Sequence, residues 1–459
     1  VARDRLQSVE IRVLAVWAAF AAYIVVIGGD VLQVHRFWLP ILPVGALLVA
    51  RGSTWVGGWI AARRSGSRKL AAAVSAAVIV ATVGGGLARN WEGIQGRRNT
   101  EIGFVLNMRQ TGEWLGQNLP PGSSIAITTI GAIGYYSGLH VIDMLGLTDR
   151  EIARNPKLIP GLKDTWREIK YNAESVLARR PDAILFSTGV RPSAAAEKAL
   201  YLYQDFYRSY FAYNFRSTSN RTHVQVAFRR RPDAPEFSPE LVGIGDLGFL
   251  EEYIEGHLAQ SRHADFEGAV EHFRRADEMS GGLCSWARQW LGTALYDSGR
   301  EEEGMRILRA ELAEDPYCLS AMMRIADAEL NGGNLDGAAG MFRRITDVCP
   351  DDALAWLGLA ETTRLRGDPE RAYRYALEGI RRWDVSPPHL ALFGSIAIQT
   401  RNFDTAEAVY ERALGVDPDF APARQALELL PRFRDGSLRI PDGADGVPKR
   451  VDPPPSGNR

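Results

Sequence analysis

From about residue 250 onward the sequence returns to the same landmarks every 34 residues. Pro316 and Pro350 stand one period apart, Pro418 follows two periods later, and Asp384 fills the slot between. On this period Leu291-Gly292 superposes on Ile325-Ala326, Leu359-Ala360 and Phe393-Gly394. Gly299, Gly333 and Gly367 also superpose, with Arg401 in the last copy. The second half of each copy aligns Ala338 and Phe342 with Ala372 and Ala376, and with Ala406 and Tyr410. Trp356 takes the aromatic position that opens a first helix. Chance does not keep such a register over successive copies, so few folds remain open to this half of the chain.

Small residues at matched positions let two antiparallel helices approach closely. A Gly near each turn ends its helix in a left-handed conformation, and Pro closes the unit. This pattern resembles the tetratricopeptide repeat (TPR) family. It predicts units at about 285–318, 319–352, 353–386 and 387–420, a degenerate one at about 250–283 and a capping helix near 421–430. Helix–helix packing is expected from Gly292, Ala326, Ala338, Phe342, Trp356, Ala360, Ala372, Gly394, Ala406 and Tyr410. A single pair leaves one apolar face bare, so pairs stack into a curved solenoid whose groove selects a protein partner.

Charge divides the chain. Residues 1–245 carry 29 basic and 18 acidic side chains, a net of +11, whereas residues 246–430 carry 19 and 33, a net of −14. Two modules with different surroundings are expected. The acid excess argues against nucleic acid as a partner and favours a basic or polar protein. An acidic outer face that serves only solvation is the other reading, and the sequence leaves both open. Cys284, Cys318 and Cys349 show no ligand spacing and read as small packing residues. No metal cluster or cofactor motif is evident, and residues 431–459, rich in Pro, Asp, Gly and Arg, read as a disordered tail.

The front of the chain is apolar. Residues 13–29 and 70–88 are long enough for a bilayer core of about 30 Å. A middle stretch, 37–62, reaches that length only if its helix passes Arg51. Arg3, Arg5 and Arg12, then Arg63, Arg64, Arg68 and Lys69, place their loops in the cytoplasm by the positive-inside rule. Three crossings then put residue 89 onward outside. A signal peptide cleaved near Ala19-Phe20-Ala21 is the alternative for the first span, disfavoured by the two spans behind it. The chain opens on Val, read as either an alternative start or a truncated product.

Residues 91–245 read as a small α/β unit. Helix closes at Asn118, Pro120-Pro121-Gly122 turns, and strands are predicted at 124–129, 140–144, 183–187 and 224–228 in a partly parallel sheet. A helix is predicted over 164–179. The cluster Tyr201, Tyr203, Phe206, Tyr207, Tyr210, Phe211 and Tyr213 fits the apolar face of a helix better than a sugar-stacking surface.

The first loop, Gly28-Gly29-Asp30 to His35-Arg36-Phe37-Trp38 and Pro40, gathers a carboxylate, an imidazole and a guanidinium at the membrane edge. On physics alone it is an interfacial loop with an aromatic belt. With Ile133-Gly134-Tyr135-Tyr136-Ser137-Gly138 and the run from Val141 to Asp149, it resembles bacterial GT-C-type membrane glycosyltransferases, most nearly their arabinofuranosyltransferase branch. The resemblance spans about residues 10 to 230. It implies a polyprenyl-phosphate-sugar donor, with Asp30, Arg36 and Asp143 as substrate-contacting positions. That family's catalytic acid sits in an early loop with no counterpart ahead of Val13, so this chain is not expected to transfer sugar alone.

The expected architecture is therefore mixed: transmembrane α-helices (1–90), an extracytoplasmic α/β domain (91–245), an all-α TPR solenoid (246–430) and a tail (431–459). Two functions follow. One is a multi-pass scaffold of the bacterial inner membrane that binds lipid and a protein partner at the cell envelope. The other is the C-terminal portion of a GT-C-type transferase in envelope glycan synthesis.

Overall fold

The computed structural model describes residues 2–26, 36–64, 67–163, 170–215, 225–238, 246–382 and 386–438. Contacts divide the chain into two units at Phe104.

The first unit holds α1 (Ala2–Val26), a 3-10 turn (Arg36–Ile41), α2 (Leu42–Arg64) and α3 (Arg68–Ile79). A π turn (Val80–Gly84) then leads into α4 (Gly85–Asn118). Its packing is inside out relative to a water-soluble core. At the α2–α3 crossing sit Ser53, Gly57 and Ala61, one helical turn apart and buried, while Trp55, Trp59 and Leu47 are exposed. A methyl group on Gly57 would collide with Ser75 and the Ala71 carbonyl, so only glycine permits this approach. Three spans are expected from sequence. Among the described residues one helix, Trp38–Arg63, is long and apolar enough to cross a bilayer, and Ile11–Val26 is apolar but shorter. That spanning helix does run through Arg51. The expected third span is interrupted by the π turn.

In the second unit, a sheet of order β2-β1-β3-β5-β4 is built from β1 (Ser124–Ile127), β2 (His140–Asp143), β3 (Ala183–Leu185), β4 (Tyr210–Phe215) and β5 (Gln225–Arg230). The first three run parallel, and β5 pairs antiparallel with both β3 and β4. Short helices α5 (Ile130–Ser137), α6 (Arg150–Arg154), α7 (Ala173–Ala178), α8 (Ala195–Leu200) and α9 (Gln204–Ser209) connect them. Two expectations change here. Strand β4 replaces the end of the expected aromatic helix, and all seven aromatic residues of that cluster are buried, so they offer no sugar-stacking surface. The helix expected from 164 begins, within the described part, only at Ala173. Asn172 caps it by accepting from the Ser175 N–H at 2.9 Å, while its Nδ2 donates to the Asn155 carbonyl.

Then come the helix pairs. These are α10 (Phe249–His263) with α11 (Phe266–Met279), α12 (Ser285–Asp297) with α13 (Glu301–Glu314), and α14 (Leu319–Asn331) with α15 (Leu335–Val348). They continue with α16 (Ala353–Leu365) and α17 (Pro369–Arg382), α18 (Pro387–Gln399) and α19 (Phe403–Val416), and the cap α20 (Ala421–Arg434). Gly299, Gly333 and Gly367 turn at φ of 89°, 80° and 83°, and Arg401 takes the same left-handed backbone at 58°. A side chain is strained there. Arg401→Gly is therefore expected to stabilise the solenoid by about 0.5–1 kcal/mol, and Gly367→Ala to cost about as much or more. Paired thermal melts check the opposite signs. Nothing lies near an added methyl at Gly367, so its cost is purely one of backbone.

The sheet and the helix pairs share two apolar cores. Trp286 of α12 stacks on Phe228 at 5.0 Å and meets Phe206 edge-on at 4.9 Å. Arg231, buried after β5, donates to Asp315 Oδ2 at 2.7 Å and to the Tyr207 carbonyl at 2.7 Å. Edge strand β4 is covered by the turn before α16, where Tyr213 donates to Asp351 and the Cys349 thiol to the Asn214 carbonyl.

Candidate protein-binding groove

Within each pair the helices close on small residues. A methyl on Gly292 would sit 2.9 Å from Leu308 Cγ, and one on Gly394 would enter the Tyr410 ring. Ala326, Ala338, Ala360, Ala372 and Ala406 are fully buried, and Phe342 and Tyr410 nearly so. Trp356 is half-buried, its indole N–H donating to the Pro350 carbonyl at 2.8 Å.

First helices of successive pairs also touch one another, α12 with α14, α14 with α16, and α16 with α18. They therefore line the inner side of the stack. The sheet occupies the beginnings of α12, α14 and α16 and leaves their ends open. At those ends one position recurs every 34 residues: Asp297, Asn331, Leu365 and Gln399. Around it runs a polar ladder. Gln260 donates to Asp297 Oδ2 at 3.1 Å, Arg324 donates to the same oxygen at 2.9 Å, and Arg324 lies 3.8 Å from Asp327. Burial holds the Asp297 carboxyl above its usual range against the opposing pull of Arg324 and Gln260. One unit further, buried Arg364 clasps Glu361 with two bonds of 2.8 Å. This face can offer a peptide fixed carboxylates, guanidinium groups and an amide beside apolar Leu365. The sequence reading found the packing residues but missed the ladder, because its members mark no period.

Other polar groups are structural. Asp143 is fully buried, and its carboxylate accepts from the Leu145 N–H at 3.0 Å and from the Thr148 N–H and hydroxyl, tying up its own turn. Asp30 and the side chain of Arg36 lie outside the described residues. The three cysteines are buried, and burial pushes the Cys284 thiol up to about 11 and Cys318 up to about 12, so neither is a ready nucleophile.

His257 on α10 sits within an aromatic box of Tyr253, Phe273 and Trp290, and burial, aided by Arg191, pushes its imidazole down to about 3. The unfolded imidazole protonates near 6.5, so this contribution is complete above that pH and declines as pH falls toward 3, by ~1.4 kcal/mol per unit. Asp277, Asp297, Glu311 and Asp315, all raised, act in the opposite sense. A His257→Phe variant cancels their effect in the comparison. It is expected to lose ~2 kcal/mol less than the parent between pH 7 and pH 5 in urea titrations.

Comparison with known proteins places two labels on this architecture. Residues 90–228 match a domain of unknown function (DUF8728). Residues 323–387 and 390–420 match tetratricopeptide repeats, and the C-terminal helix pairs are such repeats. Similar solved structures include a thermophilic TPR protein of Thermus thermophilus, 18% identical, covering 40% of this chain and 98% of its own, with a TM-score of 0.34. Another is pilF of Pseudomonas aeruginosa, at 15% identity, 39% and 81% coverage and a TM-score of 0.35. A tetratricopeptide repeat protein from Parabacteroides merdae gives 13%, 42% and 75%, and 0.34. No curated protein sequence matches the chain.

Proposed function

We propose that this protein is a scaffold of the cell envelope: its front helices anchor it in a membrane, and its repeat groove holds a protein partner. The observation that carries the reading is the set of open first-helix ends, in register every 34 residues and flanked by the polar ladder. A groove of this kind reads an extended or helical peptide through repeated positions. The acid excess of the repeats works against nucleic acid as the partner. Anchoring is supported by the inside-out pattern of the first unit, with small residues at the helix crossing and large apolar ones outside.

Placement of the soluble part on the outer side of a bacterial inner membrane remains with the positive-inside reading of three crossings. The kinship with GT-C-type glycosyltransferases, and with it a polyprenyl-phosphate-sugar ligand, is supported by motif order alone, and we assign no described residue a catalytic role. Anchoring is tested by alkaline carbonate extraction of cell membranes. The full chain should stay in the pellet and leave it only with detergent; release by carbonate contradicts the anchor. For the groove, Leu365→Arg combined with Asn331→Arg should abolish co-isolation of the bound protein without lowering the melting temperature. Retained binding would contradict it.

A further inference from the structure

Beyond the apolar hairpin of the first unit, α4 carries a feature that packing within the unit leaves unused. Trp91, Ile94, Arg98 and Ile102 fall at i, i+3, i+7 and i+11, so they form one stripe along the helix. All four are exposed, Trp91 at 55%. Gly93, Gly96, Thr100 and Gly103 make up the opposite side, also exposed. An exposed apolar stripe of this length calls for a covering phase.

Arg98 identifies which one. A dry protein interface would bury its guanidinium among Ile94 and Ile102, at a cost that nothing on the stripe offsets. A second copy anchored in the same membrane lies parallel, which sets Arg98 against its own equivalent. The headgroup layer of a bilayer has neither problem: phosphates meet the guanidinium while tryptophan and isoleucine reach the acyl boundary. Arg89 and Arg97 add positive charge on the same segment. The helix also follows directly on the π turn that ends the apolar hairpin.

We infer that residues 89–102 of α4 lie along the membrane surface and bind anionic lipid headgroups through Arg98, with Trp91, Ile94 and Ile102 inserted. This rests on the anchoring proposed above.

Spin labels on single introduced cysteines in the full chain, reconstituted in phosphatidylcholine vesicles with or without phosphatidylglycerol, test it. The native thiols are buried and stay unlabelled. With Ile94→Cys and Ile102→Cys, oxygen should relax the label several-fold more effectively than with Gly96→Cys and Gly103→Cys. A water-soluble nickel reagent should show the reverse. The contrast should be larger with phosphatidylglycerol and disappear when Arg98→Glu is added. Leu47→Cys on α2 is the reference. If that label is in lipid while positions 94 and 102 match 96 and 103, the surface inference is overturned and anchoring stands. If position 47 is itself aqueous, both are overturned. Dipolar broadening between labels at 94 or 102 identifies a second copy as the cover and also overturns it.

Discussion

Glu197→Ala is expected to lower the unfolding free energy by about 3–5 kcal/mol, measured by urea denaturation of the full chain in detergent. The carboxylate is fully buried at the ends of the parallel strands β1 and β3, where open α/β sheets usually keep a ligand crevice. Here the protein's own anion occupies that place. Glu197 accepts from the Thr128 hydroxyl at 2.8 Å, the Ser193 N–H at 2.7 Å, the Ala194 N–H at 3.1 Å and the Ser187 N–H at 3.3 Å. Removing it leaves several donors without an acceptor and a void beneath α8. Glu197→Gln keeps one acceptor and should cost roughly half as much. A loss below ~1 kcal/mol for the alanine variant would mean that water replaces the carboxylate at no cost.

Arg231→Ala should be comparably severe, at about 3–5 kcal/mol, because it strands Asp315 in the interface between sheet and repeats. The guanidinium joins three partners: Asp315, the Tyr207 carbonyl and, at 3.3 Å, the Tyr210 carbonyl. Lysine cannot present that planar fork, so Arg231→Lys should recover little of the loss. The same measurement tests whether sheet and solenoid unfold as one body. A biphasic transition in the parent protein would show that they are only loosely joined.

The repeats were legible because each rests on local chemistry. First helices begin at Ser285, Leu319, Ala353 and Pro387, the starts set by the 34-residue period. The turn at Arg401 was legible for the same reason: alignment put it where its neighbours use Gly. Strand β4 was not. Aromatic residues from Tyr201 to Tyr213 fit a helical face and a strand alike, and the choice is made by pairing with β5. The docking of sheet on repeats left no trace in the sequence either, since Arg231 meets Asp315 across 84 residues and Glu197 meets Thr128 across 69. The charge asymmetry suggested two separate modules, whereas residues of both signs share two apolar cores. As for the resemblance-based site, Asp143 organises its own turn, and the other two side chains fall outside the described residues.

The scaffold reading is tested most directly by site-specific photo-crosslinking in living cells. A photoreactive amino acid is placed at Asn331, Leu365 or Gln399, on the open ends of the first helices. Arg343 and Arg374, exposed on the second helices, serve as outer-face controls. The account predicts one protein adduct of the same mass from all three groove positions and none from the controls. Adducts from the outer positions alone, or none from the groove, would contradict it.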